Sequence, residues 1–189
     1  DVSGPGGGVT WVPIEASILQ FGDITANLLG AVRPASWSRQ LGDTRTIISW
    51  ALNNHWHTNF PLEQDGVIPF RYAILLHGGY DVVVANRFGL EQNRPLVAVA
   101  AERNPVTKPL VTVDNPRVFV STLKPAEDGT AVILRLRSVS DKPESVKLAF
   151  SAGVPKSVRF CTVAETPGAP AETVTLLPFG IVTLHIEFK

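Results

Sequence analysis

From about Val113 onward, apolar and polar positions alternate with a period of two. Val118, Val120 and Thr122 fall on one face and Phe119, Ser121 and Leu123 on the other. A turn at Pro125-Ala126-Glu127-Asp128-Gly129 leads into Ala131 to Arg137, where Val132, Leu134 and Leu136 share a face. Ser140-Asp141-Lys142-Pro143-Glu144 makes the next turn, before Val146, Leu148 and Phe150. Val158 to Val163, Thr173 to Leu177 and Ile181 to Phe188 complete the series. In the last run Val182, Leu184, Ile186 and Phe188 point inward, while Thr183, His185 and Glu187 point to the opposite face. Short alternating segments separated by turn signals predict an antiparallel β-sandwich over residues 113–189.

Residues 1–112 are less regular. Val9 to Val12, Ile18 to Phe21 and Thr46 to Leu52 read as strands, the last apolar enough for a buried position. Ile68 to Leu76 places Phe70, Tyr72, Ile74 and Leu76 on one face, and Leu96 to Ala101 reads as a further strand. Asp81 to Gln92 is the one short helix expected, with Asp81 as N-cap and Val84, Ala85 and Phe88 on one stripe. The fold class is therefore mainly β, with two regions meeting near residue 112.

Composition narrows the function classes. The chain has 189 residues, 44% of them hydrophobic and 18% charged, which is a globular balance. Seventeen basic and seventeen acidic residues cancel, leaving no surplus to neutralise phosphates, so nucleic acid is not an expected partner. No apolar run approaches the roughly 20 residues of a membrane-spanning helix. The single cysteine, Cys161, cannot form an intrachain disulfide. There is no methionine, and Asp1 is followed by the Gly-rich stretch Ser3 to Gly8, which reads as a linker at the start of a piece of a longer chain. Whether the protein is cytoplasmic, periplasmic or secreted is left open.

The densest polar and aromatic cluster is Asn53-Asn54-His55-Trp56-His57-Thr58-Asn59-Phe60. On an extended backbone His55, His57 and Asn59 project to one side. His-x-His is a common metal-ligand spacing, with Glu63, Asp65 and His77 the nearest further ligands. Hydrogen bonding of the loop to its neighbours accounts for the same residues, and no metal site is assigned. Trp56 suits stacking on the apolar face of a pyranose, with His57 and Asn59 binding hydroxyls. It equally suits filling a core, as Trp50 does six residues earlier. The acidic residues sit beside turn residues rather than as a glycosidase pair. No Gly-x-Ser-x-Gly elbow occurs, and Gly4 to Gly8 lacks the strand and helix of a phosphate-binding loop. No catalytic residue is assigned.

Ile48 to Phe60, with Asn53-Asn54 followed by Trp56, Thr58 and Asn59, resembles a signature in the C-terminal β region of glycoside hydrolase family 38 α-mannosidases. Val12 to Ala16 with Gln20 to Asp23, Gly66 with Phe70-Arg71-Tyr72, and Asn86-Arg87 through Leu96 are similar to that region in order. So are Leu123 to Gly129 and the closing Leu177 to Leu184. The resemblance implies a galactose-mutarotase-like supersandwich region over 1–112, followed by a small terminal sandwich over 113–189. It implies a non-catalytic domain of a retaining exo-α-mannosidase, packed on the catalytic barrel and helping to wall it. The aspartate nucleophile and the zinc of such an enzyme belong to the barrel, so no cofactor is expected in this chain. The implied partners are the catalytic barrel and helical domains of the parent, mannosides and, since such enzymes often self-associate, further copies of the chain. Two alternatives stand beside this reading: a freestanding carbohydrate-binding module using Trp56, and a metal-dependent β-barrel protein using His55 and His57.

Overall fold

The computed structural model describes residues 1–22, 44–52, 63–100 and 108–188. The chain divides into two compact units, Asp1–Leu96 and Val97–Lys189. Among the described residues the fold is mainly β, its sheets antiparallel, with one helix. No helix there is long and apolar enough to cross a membrane.

The first unit contains β1 (Val2–Gly4), β2 (Gly7–Pro13), β3 (Ile18–Phe21), β4 (Ile47–Trp50), β5 (Tyr72–His77) and α1 (Val82–Asn93). The Gly-rich start, expected to be a linker, is instead a hairpin: Val2, Ser3 and Gly4 pair with Val9, Gly8 and Gly7. Its tight corner depends on glycine. Gly7 has φ 122°, and a Cβ there would lie 2.9 Å from the His77 carbonyl oxygen. β5 pairs along the other edge of β2, from Gly8–His77 to Pro13–Tyr72. Tyr72, Ile74 and Leu76 do share a face, and among the described residues it is an exposed one, with Ile74 at 62% and Leu76 at 75%.

Among the described residues β4 pairs only with β3 and is half-buried along its length, so the buried position expected for 46–52 is not met. Asp81 caps α1 as the sequence predicts, its carboxylate accepting the N–H groups of Val83 and Val84 at 2.7 and 3.0 Å. Leu96 to Ala100, expected to be strand, forms none. Leu96, Val97 and Val99 are fully or largely exposed, and an apolar run that finds no partner strand has no ladder to join.

The second unit contains β6 (Val111–Val113), β7 (Val118–Pro125), β8 (Val132–Ser138), β9 (Glu144–Val146), β10 (Leu148–Phe150), β11 (Ser157–Cys161), β12 (Pro167–Pro170), β13 (Val174–Leu176) and β14 (Ile181–Glu187). Five of these form one sheet in the order β12-β11-β14-β8-β7, while β6 pairs with β10 and β9 with β13. All of them except the exposed edge strand β12 contribute to one core. Val118, Leu134, Leu136, Leu184 and Ile186 from the large sheet meet Val146, Val174 and Leu176 from the short pairs. Val111, Val113, Leu148 and Phe150 pack against the same cluster. This is the sandwich that the alternation predicts.

Two local departures have clear causes. A bulge between Val120 and Thr122 lets Ser121 slip the register, so Leu123 pairs with Leu134 and Thr122 with Arg135. Thr122 therefore leaves the face of Val118 and Val120, and Leu123 takes its place. β12 reads Pro-Gly-Ala-Pro and carries no apolar alternation. It occupies the sheet edge, where a missing N–H costs no ladder bond.

Leu184 is fully buried on the strand between β8 and β11. Leu184→Ala is expected to destabilise the second unit by about 2–5 kcal/mol in urea unfolding. Ile181→Ala on the same strand, with 60% of its side chain exposed, is expected to change stability by no more than about 0.5 kcal/mol.

Candidate functional site

The expected sugar-contact residues Trp56, His57 and Asn59, with His55 and the rest of 53–60, lie outside the described residues. What is described is the strand that leads into them. Trp50, half-buried at the end of β4, donates its indole N–H to the Gln20 side-chain oxygen on β3 at 3.3 Å. It thus ties β3 to β4 as well as filling space. Of the further metal-ligand candidates, Glu63 and Asp65 are exposed. His77 is engaged elsewhere: its Nε2 lies 2.7 Å from Asp1 Oδ2. The same oxygen accepts the Thr10 hydroxyl at 2.5 Å, and Asp1 Oδ1 accepts that of Ser3 at 2.5 Å. Among the described residues no three His, Cys, Asp or Glu side chains converge as a metal site.

A cavity of about 500 Å³ opens in the first unit against the glycine hairpin. Gly4, Gly7, Val9 and Trp11 line it from β1 and β2, and Arg45 and Ile47 from the approach to β4 and its start. Trp11 stacks on Tyr72 with ring centroids 5.3 Å apart and planes 15° from parallel. The Tyr72 hydroxyl lies 3.2 Å from Ser49 Oγ, which steadies that ring from β4. The Arg45 guanidinium occupies the space left by the missing Cβ of Gly4, about 3.1 Å from where that atom would be. Sequence reading missed this cavity because its walls are more than thirty residues apart. Its one local signal was a tryptophan three residues beyond a run of glycines on an alternating strand.

In the second unit the outward face of β14 is also covered. Thr183 and His185 are 6% and 4% exposed, and Ala126, Ala131 and Ile133 form a second small core with Cys161 beside it. Arg135 Nε donates to Thr183 Oγ1 at 3.1 Å. Glu165, in the left-handed region at φ 63°, spans this face. Its carboxylate pairs with Lys124 and accepts the Glu127 N–H at 2.9 Å. A cavity of about 490 Å³ opens between β10 and β11, walled by apolar side chains including Leu148, Phe150 and Val158.

Four carboxyls are held as anions by their hydrogen-bond partners. The Arg71 N–H and guanidinium lower the Glu15 pKa, and the Thr130 N–H and hydroxyl lower that of Asp128. Asn115 and Ser140 do the same for Glu144, and Lys124 with the Glu127 N–H for Glu165. Each of these carboxyls is therefore stabilised as an anion, the reverse of what a general acid needs. Burial, with the Glu165 charge added, pushes the Cys161 thiol up, which keeps it protonated and a poor nucleophile.

Residues 117–184 match the family model of the glycosyl hydrolases family 38 C-terminal beta sandwich domain. The span runs from the residue before β7 into β14, and it is the family whose terminal sandwich the sequence resembles. The second unit is thus similar to a C-terminal sandwich domain of that family in sequence, and it is a sandwich in structure. No curated protein matches. A solved structure, that of apo exo-carrageenase GH42 from Bacteroides ovatus, aligns with 43% of this chain at 16% identity and a TM-score of 0.30. The alignment spans 11% of that chain's length.

Glu165 also sets an expected pH dependence. Its folded pKa lies below the ordinary 4.5, so the stability it contributes is present above that value and is lost as pH falls through the lowered one. Glu165→Gln is expected to lower stability at pH 7 and to flatten the loss of stability between pH 7 and pH 3. Urea midpoints measured across that range check it. An unchanged slope would show that the clamp contributes nothing.

Proposed function

We propose that the chain is the C-terminal, non-catalytic β region of a family 38 glycosidase, and that the parent is a retaining α-mannosidase. The match of residues 117–184 to that family's C-terminal sandwich carries the reading. In this account the nucleophile and zinc reside in the parent's catalytic barrel, and this chain packs on it and helps to wall the sugar cleft. Trp56 stacks on a mannoside there, with His57 and Asn59 binding its hydroxyls.

The turn between β13 and β14 supports the packing role. Leu177, Phe179 and Ile181 are 72%, 65% and 60% exposed. Phe179 is held at φ 53°, an uncommon conformation for a residue of its size. Leu177 and Phe179 on this fixed turn, with Ile181 at the start of β14, make a run of large apolar side chains that suits burial against another domain. The Phe179 N–H donates to the Ser140 carbonyl at 2.9 Å, and that of Gly180 to the Leu177 carbonyl at 2.8 Å, so the turn is fixed.

Three outcomes test the proposal. The 189-residue chain alone is expected not to hydrolyse 4-nitrophenyl α-mannoside, and to restore hydrolysis when co-expressed with the catalytic portion of the parent. Phe179→Asp is expected to weaken that association at least tenfold while leaving the unfolding midpoint of the isolated chain unchanged. Hydrolysis by the chain alone would overturn the non-catalytic assignment, and undiminished association would remove the turn from the interface. In the parent, Trp56→Ala is expected to raise KM for mannosides; an unchanged KM would take Trp56 out of the cleft.

A further inference from the structure

We infer that the cavity against the glycine hairpin is a binding site for a ring-bodied organic anion. Its ring would lie against Trp11, and its carboxylate, sulfate or phosphate would pair with Arg45. The inference is independent of the parent enzyme's activity, since it concerns a different set of residues.

Four observations converge. First, the volume of about 500 Å³ is in the range of small-molecule sites and holds one sugar or one aromatic acid with room for water. Second, the wall is mostly apolar: Val9, Trp11 and Ile47 present carbon surface, and the Trp11 ring is held in place by its stack on Tyr72. A flat ring fixed this way is a platform for a pyranose or an arene at little further ordering cost.

Third, among the described residues Arg45 is the one charged residue lining the cavity, and it makes no hydrogen bond or ion pair with any of them. Its planar fork is the group best suited to a carboxylate or an oxyanion of sulfur or phosphorus. Fourth, the glycines provide the room. A Cβ on Gly4 would press on the guanidinium at 3.1–3.2 Å, so that glycine lets the arginine lie flat over the hairpin. The Gly-rich stretch lacks the helix of a phosphate loop, and an arginine from another strand supplies the positive charge that a helix N-terminus otherwise would.

The site is open, so the hydroxyls of a sugar can remain hydrated while its ring and acid group are held. Saccharide and aryl acids share the recognised chemistry, and the test separates them. The probes are glucuronate with its neutral counterpart glucose, and benzoate with its neutral counterpart benzyl alcohol. Each is titrated into the 189-residue chain and followed by the amide signals of Gly7, Gly8 and Val9 and the Trp11 indole N–H.

At least one of the two acids is expected to shift these signals saturably, and to bind at least tenfold more tightly than its neutral counterpart. The acid that does so identifies the ring class. Arg45→Gln, a change at an exposed side chain, is expected to weaken that acid at least tenfold with the unfolding midpoint unchanged. Trp11→Leu is expected to weaken acid and neutral probe together. If Trp11→Leu does not fold, the Arg45→Gln comparison decides alone. Equal binding of acid and neutral probes, no saturable shift with any of them, or an Arg45→Gln chain that binds as well as the parent sequence overturns the inference.

Discussion

The second unit depends on one strand serving two cores at once. β14 lies between β8 and β11, paired along both edges from Ile181–Arg137 to Ile186–Val132 and from Phe160–Leu184 to Ser157–Glu187. Its alternation sends Leu184 and Ile186 into the main core, while Thr183 and His185 are buried on the opposite face. A one-residue slip would exchange the two sets, burying a threonine and a histidine among leucines and valines. Register is therefore fixed by the cost of misplacing polar groups as much as by apolar burial. Further out in the same sheet, Glu165 pairs with Lys124 of β7, and the Ser121 bulge shifts the register of β7 against β8.

The first unit rests on a different constraint, the close approach of backbones. At Gly8 a Cβ would come within 2.5 Å of the His77 ring, and at Gly7 within 2.9 Å of the His77 carbonyl. The hairpin can lie beside the end of β5 only because those positions lack side chains. The same absence of side chains lets His77 reach the Asp1 carboxylate and leaves the Arg45 guanidinium room over Gly4. Packing and the cavity are two consequences of one glycine run.

The legible parts of the sequence were those with one face in a core. Val118, Leu134, Leu136, Leu184 and Ile186 announce themselves by period two, and Asp81 announces α1 by its cap. Elements held by position rather than by apolar surface were not legible. β12 has no alternation because an edge strand is defined by its neighbour, and β1 is too rich in glycine to read as anything but a linker. Leu96 to Ala100 erred the other way, since a run of suitable residues becomes a strand only if a partner edge is free. The bulge at Ser121 leaves no mark in composition, because any residue can be the extra one. The Trp11–Arg45 juxtaposition required tertiary contact between distant segments. The cluster at Trp56, His57 and Asn59 is prominent in the sequence by its side-chain chemistry and lies outside the described residues.

The central claim is that these strands serve a larger glycosidase. It is tested most directly by immunoprecipitating the native product from its source cells with an antibody to this chain, then measuring its mass and its α-mannosidase activity. The account predicts a polypeptide several times heavier than 20.4 kDa, precipitating together with the activity. A 20.4 kDa product in a precipitate without glycosidase activity would contradict it.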